Sequence, residues 1–218
     1  MKIFTVFQLA VLLGVAVSQR NDYNRRGGNG GRPWNNGGNG GNGGGGRGCG
    51  SGWQRFNRPS GGWCIKVFRG EHSQSQAESR CASVGAKLTG VQNQEEINYI
   101  TRSTLNLISQ SSGSVWLGAR RTQACSGATL STSCSSMNSF WWTDRVTTGT
   151  SGLIWNTNQP DNAHAQTQQC VVVLASRAAS VRDQWIWYNG KLDDVNCAGS
   201  AGENAVRTVR GYACGKRA

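Results

Sequence analysis

The chain has 218 residues and a formal net charge of +12, from 23 lysines and arginines against 11 acidic residues. Eight cysteines, an even number, with no C-x-x-C pair and with His72 and His164 as the only histidines, argue against a zinc or redox centre and for disulfides formed in an oxidising compartment. No run beyond the first residues is long and apolar enough for a bilayer span of about 20 residues, so membrane insertion is not expected.

The N-terminus carries Lys2, an apolar run from Ile3 to Val17 and the small-residue pattern Ala16, Val17, Ser18, which reads as a secretory signal over residues 1–18. Residues 19–48 are a Gly/Asn/Arg-rich tract with almost nothing to bury except Trp34, and read as a flexible spacer. An arginine and glycine tract can bind RNA, but the secretory signal argues against a nucleic-acid partner. Its arginines supply part of the basic charge, which favours solubility and, more generally, attraction to anionic surfaces.

The folded domain is expected over residues 49–218. Trp53 and Phe56, then Trp63 to Phe68, give two aromatic strands joined through Pro59 to Gly62. Ser73 with Gln76 three residues on is a capping-box signal; Ala77, Cys81 and Val84 follow at helical spacing, and Gly85 stops the helix. A second helix starts at Asn93 with Glu96, carries Ile97, Ile100, Thr104, Leu107 and Ile108 on one face, and is expected to run to Gly113. Val115 to Gly118 is a buried strand, Cys125 and Cys134 bracket a polar surface loop, and Phe140 to Trp142 is a short strand. A long Gly/Thr/Ser/Asn stretch then leads through Trp155, and irregular loops of that length are often functional. Cys170 to Leu174 is a buried strand. Gln184 to Tyr188 and Lys191 to Asp194, joined by Asn189 and Gly190, read as a hairpin. The last strand lies near Tyr212 and ends on Cys214. Two helices and several short strands make a single α+β domain.

Two groups of oxygen-bearing side chains stand out. Gln159, Pro160, Asp161 and Asn162, with Gln168, precede Cys170; Leu192, Asp193, Asp194, Val195 and Asn196 precede Cys197. Calcium takes six to eight oxygen ligands, and a proline between two ligands fixes a turn that holds both, so these groups form a candidate calcium site. Spacing alone leaves roughly 105 cysteine pairings open. Adjacent residues of a strand point to opposite faces, so Asp193 and Asp194 do not make a glycosidase-like carboxylate pair. With no nucleophile elbow or phosphate loop either, an enzyme is not expected.

The ordered set of features resembles a C-type lectin-like domain in its long form: an aromatic hairpin, two helices, Trp116-Leu117-Gly118, Gln-Pro-Asp at 159–161 and Leu-Asp-Asp-Val-Asn-Cys at 192–197. The resemblance implies small antiparallel sheets with a long ligand loop, and the disulfides Cys49–Cys64, Cys81–Cys214 and Cys170–Cys197, which leaves Cys125 with Cys134. It implies Ca²⁺ held by Gln159, Asp161, Gln168, Asp193 and Asp194, with Gln159, Asp161, Gln168 and Asp193 also meeting a sugar, of galactose type for Gln-Pro-Asp. Two ligand positions depart from the family pattern, Gln168 replacing a glutamate and Asp193 an asparagine, which keeps three carboxylates in the set, and Leu192 replaces the tryptophan before that pair. The function expected is that of a secreted, calcium-dependent carbohydrate-binding protein of innate defence or surface recognition, with a glycoconjugate partner. The alternative is a calcium-independent domain that binds a protein or an anionic surface.

Overall fold

The computed structural model describes residues 48–182, 185–199 and 207–218, with side chains left aside at residues 180–182 and 185. The signal and almost all of the Gly/Asn/Arg-rich tract lie outside the described residues. Strand β1 (Gln54–Arg58) turns through Pro59 and Ser60 into β2 (Gly61–Arg69), antiparallel as the aromatic pattern predicts. Helix α1 (Gln74–Ala82) begins with the predicted capping box: Gln76 N–H donates to Ser73 Oγ, and Ser73 N–H to Gln76 Oε1 at 2.9 Å. Gly85, at φ 68°, follows its end.

After the short β3 (Lys87–Leu88) comes α2 (Gln94–Leu107), where Asn93 caps by accepting from Glu96 N–H at 3.2 Å. This helix ends earlier than expected. Ile108 takes an extended backbone (φ −109°, ψ 146°), and Gly113 lies inside β4 (Ser112–Arg121), which is longer than the predicted strand. The apolar pattern of Leu107 and Ile108 suits a helix, but pairing across the sheet claims the chain from Ser112 onward.

Strands β5 (Phe140–Trp142), β6 (Cys170–Ser176), β9 (Leu192–Val195) and β10 (Val209–Arg217) complete one eight-stranded sheet in the order β1-β2-β10-β4-β6-β9, with β3 on β10 and β5 on β4. It is mixed, not purely antiparallel: β10 runs parallel to β4. A separate pair joins β7 (Ser180–Arg182) to β8 (Trp185–Trp187). The expected hairpin across Asn189 and Gly190 therefore does not form. The tight turn is there, with Gly190 at φ 75°, but β8 pairs backward with β7 and β9 pairs with β6. A third, four-residue helix, α3 (Ala163–Gln166), was not expected; His164 and Ala165 within it are left-handed.

Residues alternate between the two faces of the sheet, and so does the core. Ile65, Leu117, Val171 and Leu192 pack with Ile97 and Ile100 of α2; Trp116, Val172 and Tyr212 pack with Ala77 and Cys81 of α1. The disulfides are Cys49–Cys64, Cys81–Cys214, Cys125–Cys134 and Cys170–Cys197, the pairs that the resemblance implies. Beneath β1, the buried Arg58 donates to Glu96 Oε1 at 2.7 Å and to Thr147 Oγ1 at 2.8 Å, and pairs with Asp144. This network ties the start of α2 to the turn after β5.

Candidate functional site

The loop from Leu153 to Gln169 returns to the sheet beside β9, and places Gln159, Asp161 and Gln168 next to Asp194. The Gln159–Pro160 peptide is cis. Asp194 is fully buried, and its carboxylate is completely engaged by the protein. Oδ1 accepts from Asp161 N–H at 3.1 Å, Oδ2 accepts from Asn162 N–H at 2.9 Å, and the Arg121 guanidinium pairs with Oδ2.

Arg121 ends β4. Its Nε–H donates to the Gln168 carbonyl at 2.9 Å and its guanidinium stacks 4.6 Å from the Phe140 ring centroid. Both side chains of the pair are at most 1% exposed. Burial pushes the Asp194 carboxyl up to about 6, ahead of the opposing pull of Arg121 and the Asn162 amide. Burial likewise lowers Arg121, opposed by Asp194 and Asp161.

The other members of the predicted set are also committed. Gln159 Oε1 accepts from Asp161 N–H at 3.0 Å, Asp161 Oδ1 from Ala163 N–H at 3.1 Å, and Gln168 Oε1 from Ala163 N–H at 2.7 Å. Asn162 anchors the Cys125–Cys134 loop, its Nδ2–H₂ donating to the carbonyls of Ser126 and Ala128.

Asp193 stands apart. In the β6–β9 ladder Asp194 lies opposite Val171 and Asp193 opposite Val172, and these two valines belong to the two different core faces. Asp193 accordingly pairs with Arg207, whose guanidinium lies 3.8 Å from the Trp187 ring centroid. Burial lowers the Arg207 pKa to about 10, with Asp161 opposing.

Gln159, Asp161, Gln168 and Asp194 are thus brought together, and Asp193 is directed to the other face. Among the described residues, no three of His, Cys, Asp and Glu are grouped as a metal site would need. Gln159 Oε1, Asp161 Oδ1, Gln168 Oε1 and both Asp194 oxygens accept from backbone amides or a guanidinium, so a calcium ion bound by these groups would have to compete with those donors. Sequence reasoning missed Arg121 and Arg207. The Arg120-Arg121 doublet closing an otherwise apolar strand was the available signal, since a buried arginine requires a buried acid.

A model of the C-type lectin domain-containing protein 141/158 family matches residues 53–217. Among solved structures, the C-type lectin CEL-I from Cucumaria echinata is 18% identical with a TM-score of 0.52, over 77% of this chain and 96% of that one. The cow C-type carbohydrate-recognition domain of CD23, solved in the presence of GlcNAc2Man3 oligosaccharide, is 20% identical with a TM-score of 0.50, over 78% and 96%. Human lithostathine is 16% identical with a TM-score of 0.50, over 78% and 91%. At these identities the structures speak to the fold alone. The order of strands, the four disulfides and the matched span together place this chain in the C-type lectin domain family.

Proposed function

We propose that this protein is a secreted, calcium-independent binding module of the C-type lectin domain family that recognises an anionic partner, and not an enzyme. The observation that carries this reading is the buried Arg121–Asp194 pair, a fixed guanidinium against the carboxylate that a calcium ion would need. Arg207 on Asp193 acts in the same sense on the other face of β9. With Asp194 neutralised by Arg121 and Asp193 facing Arg207, a divalent ion would have to displace the buried Arg121 guanidinium and compete with Arg207. The net charge of +12 favours an anionic partner through long-range attraction.

The calcium-dependent sugar-binding reading drawn from the sequence is the second reading, because several of its coordinating oxygens already accept hydrogen bonds from within the chain. Calorimetric and thermal titrations of the oxidised protein decide the matter. The expected result is no heat and no change in Tm with 10 mM CaCl₂, and none with galactose or mannose in its presence. A calcium-dependent rise in Tm, or sugar heat that appears only with the ion, would overturn the proposal.

A further inference from the structure

We propose that a basic groove floored by Trp63 and Gly215 is a binding site for a linear sulfated polysaccharide. This rests on the calcium-independent reading above, and it supplies the ligand class and the surface. The groove is shallow and open to solvent, with a volume of about 560 Å³. None of its lining residues belongs to the set around Asp194.

Four cations from three stretches of chain reach it: Lys87 from β3, Arg145 from the turn after β5, and Lys216 and Arg217 from the end of β10. Lys87 pairs directly with Gly215 across the β3–β10 ladder, which fixes it beside the β10 cations. Arg145 is held at φ 59°, in the left-handed region, by its neighbour Asp144, whose Oδ1 accepts from Val146 N–H and Thr147 N–H at 2.9 Å each. Backbone strain at a non-glycine residue is thereby stabilised at a position that presents a guanidinium to the groove.

The acidic lining residue does not oppose the cations from the surface. Asp144 is 2% exposed, and its Oδ2 accepts from Gly90 N–H at 2.8 Å and from Thr147 Oγ1–H at 2.6 Å while pairing with buried Arg58. Lys87, Arg145 and Arg217 are exposed and in no salt bridge among the described residues; Glu78 attracts Lys87 without forming one, and Arg217 also donates to the Ser60 carbonyl at 3.4 Å.

The floor is shaped to stay open. A Cβ at residue 215 would lie 2.3 Å from Trp63 Nε1, so only glycine leaves the strand flat there. Trp63 itself is 3% exposed, its indole N–H donating to Thr89 Oγ1 at 2.9 Å, so the groove offers no ring face to an unstacked base. Single-stranded nucleic acids need such faces as well as charge. A sulfated sugar chain needs only spaced cations, and guanidiniums match sulfate oxygens in pairs.

The test uses the full chain, with heparin as the probe, in 0.15 M NaCl and in EDTA. K87E/R145E/R217E is compared with R69E/R102E/R177E, three exposed arginines away from the groove, so that both variants change the net charge equally. The groove variant should lose at least about tenfold in affinity while the control stays within about threefold, because clustered charge and not total charge sets the local potential. K87Q/R145Q/R217Q, with a melting curve, separates lost binding from lost folding and should weaken heparin in the same sense. Equal losses in groove variant and control, undiminished binding by the groove variant, or competition by desulfated heparin or a single-stranded oligonucleotide as strong as by heparin itself would each overturn the proposal. If heparin binds only with added Ca²⁺, the calcium-independent reading fails; the same variants measured in Ca²⁺ still report on the groove.

Discussion

Replacing Arg121 by methionine tests whether the guanidinium is the cation that holds the loop to the sheet. The substitution keeps an apolar stem against Phe140, and removes the partner of Asp194 and the donor to the Gln168 carbonyl. Both members of the pair are essentially unexposed, and removing one member of such a pair costs about 3–5 kcal/mol, because the other charge stays buried without compensation. Retained packing by methionine places the expected loss near the lower bound, about 3 kcal/mol, which for a domain of this size lowers Tm by roughly 6–12 °C.

Urea unfolding followed by tryptophan fluorescence measures this without the ionic screening of guanidinium salts. The pair also predicts non-additivity. In the Arg121→Met background, adding Asp194→Asn removes the uncompensated buried charge and should restore part of the loss, giving a coupling energy of about 1.5–3 kcal/mol. A loss under about 1 kcal/mol for Arg121→Met, or a coupling below about 0.5 kcal/mol, would refute the assignment of Arg121 as the buried counter-cation.

Two further outcomes follow from the same structure. Burial holds the folded-state pKa of Asp194 at about 6, against 3.8 ordinarily, so ionisation above that pH costs the folded state about 3 kcal/mol, a cost lifted progressively as pH falls from about 6 to about 4. Wild-type stability should therefore rise relative to Asp194→Asn over that window, in urea titrations at successive pH values, and parallel profiles would refute the shift. Glu78, also raised by burial, adds in the same direction in both proteins. Among the disulfides, Cys81–Cys214 spans 133 residues and Cys125–Cys134 spans 9. Loop-closure entropy gives losses of roughly 5 and 2.5 kcal/mol when each is replaced by serines. Equal losses would show that local strain or residual unfolded structure, and not loop length, sets their contributions.

What was legible in the sequence was what is decided locally. The Ser73–Gln76 box and the Asn93 cap depend on three or four consecutive residues, and both helices start where those residues place them. The tight turn at Asn189–Gly190 depends on a glycine with positive φ and is present. What it connects was not legible, because β8 finds its partner upstream in β7 and β9 finds β6 across the sheet. The end of α2 failed for the same reason: the apolar period continues through Ile108, while the sheet recruits Ser112. The alternation rule used to separate Asp193 from Asp194 as a catalytic pair bears equally on a shared ligand set. The structure does separate them, toward Val172 and Val171.

The candidate site failed to be legible for a different reason. A count of carboxylates around Gln159–Pro160–Asp161 and Asp193–Asp194 says that positive charge must be supplied there, but not by what. A free ion and a covalently attached guanidinium neutralise the same aspartate, and the choice depends on where β4 ends, about 70 residues upstream of β9, which no local pattern around either acidic group reveals. The two solutions differ in what they leave for a partner. Calcium, with six to eight coordination positions, has sites to offer a sugar diol after the protein has taken its share. Arg121 already directs donors to Asp194 and to the Gln168 carbonyl and lays its face on Phe140. On the proposed reading, a site closed in this way fastens the long loop to the sheet without calcium, and recognition would fall to the exposed cations of Lys87, Arg145 and Arg217.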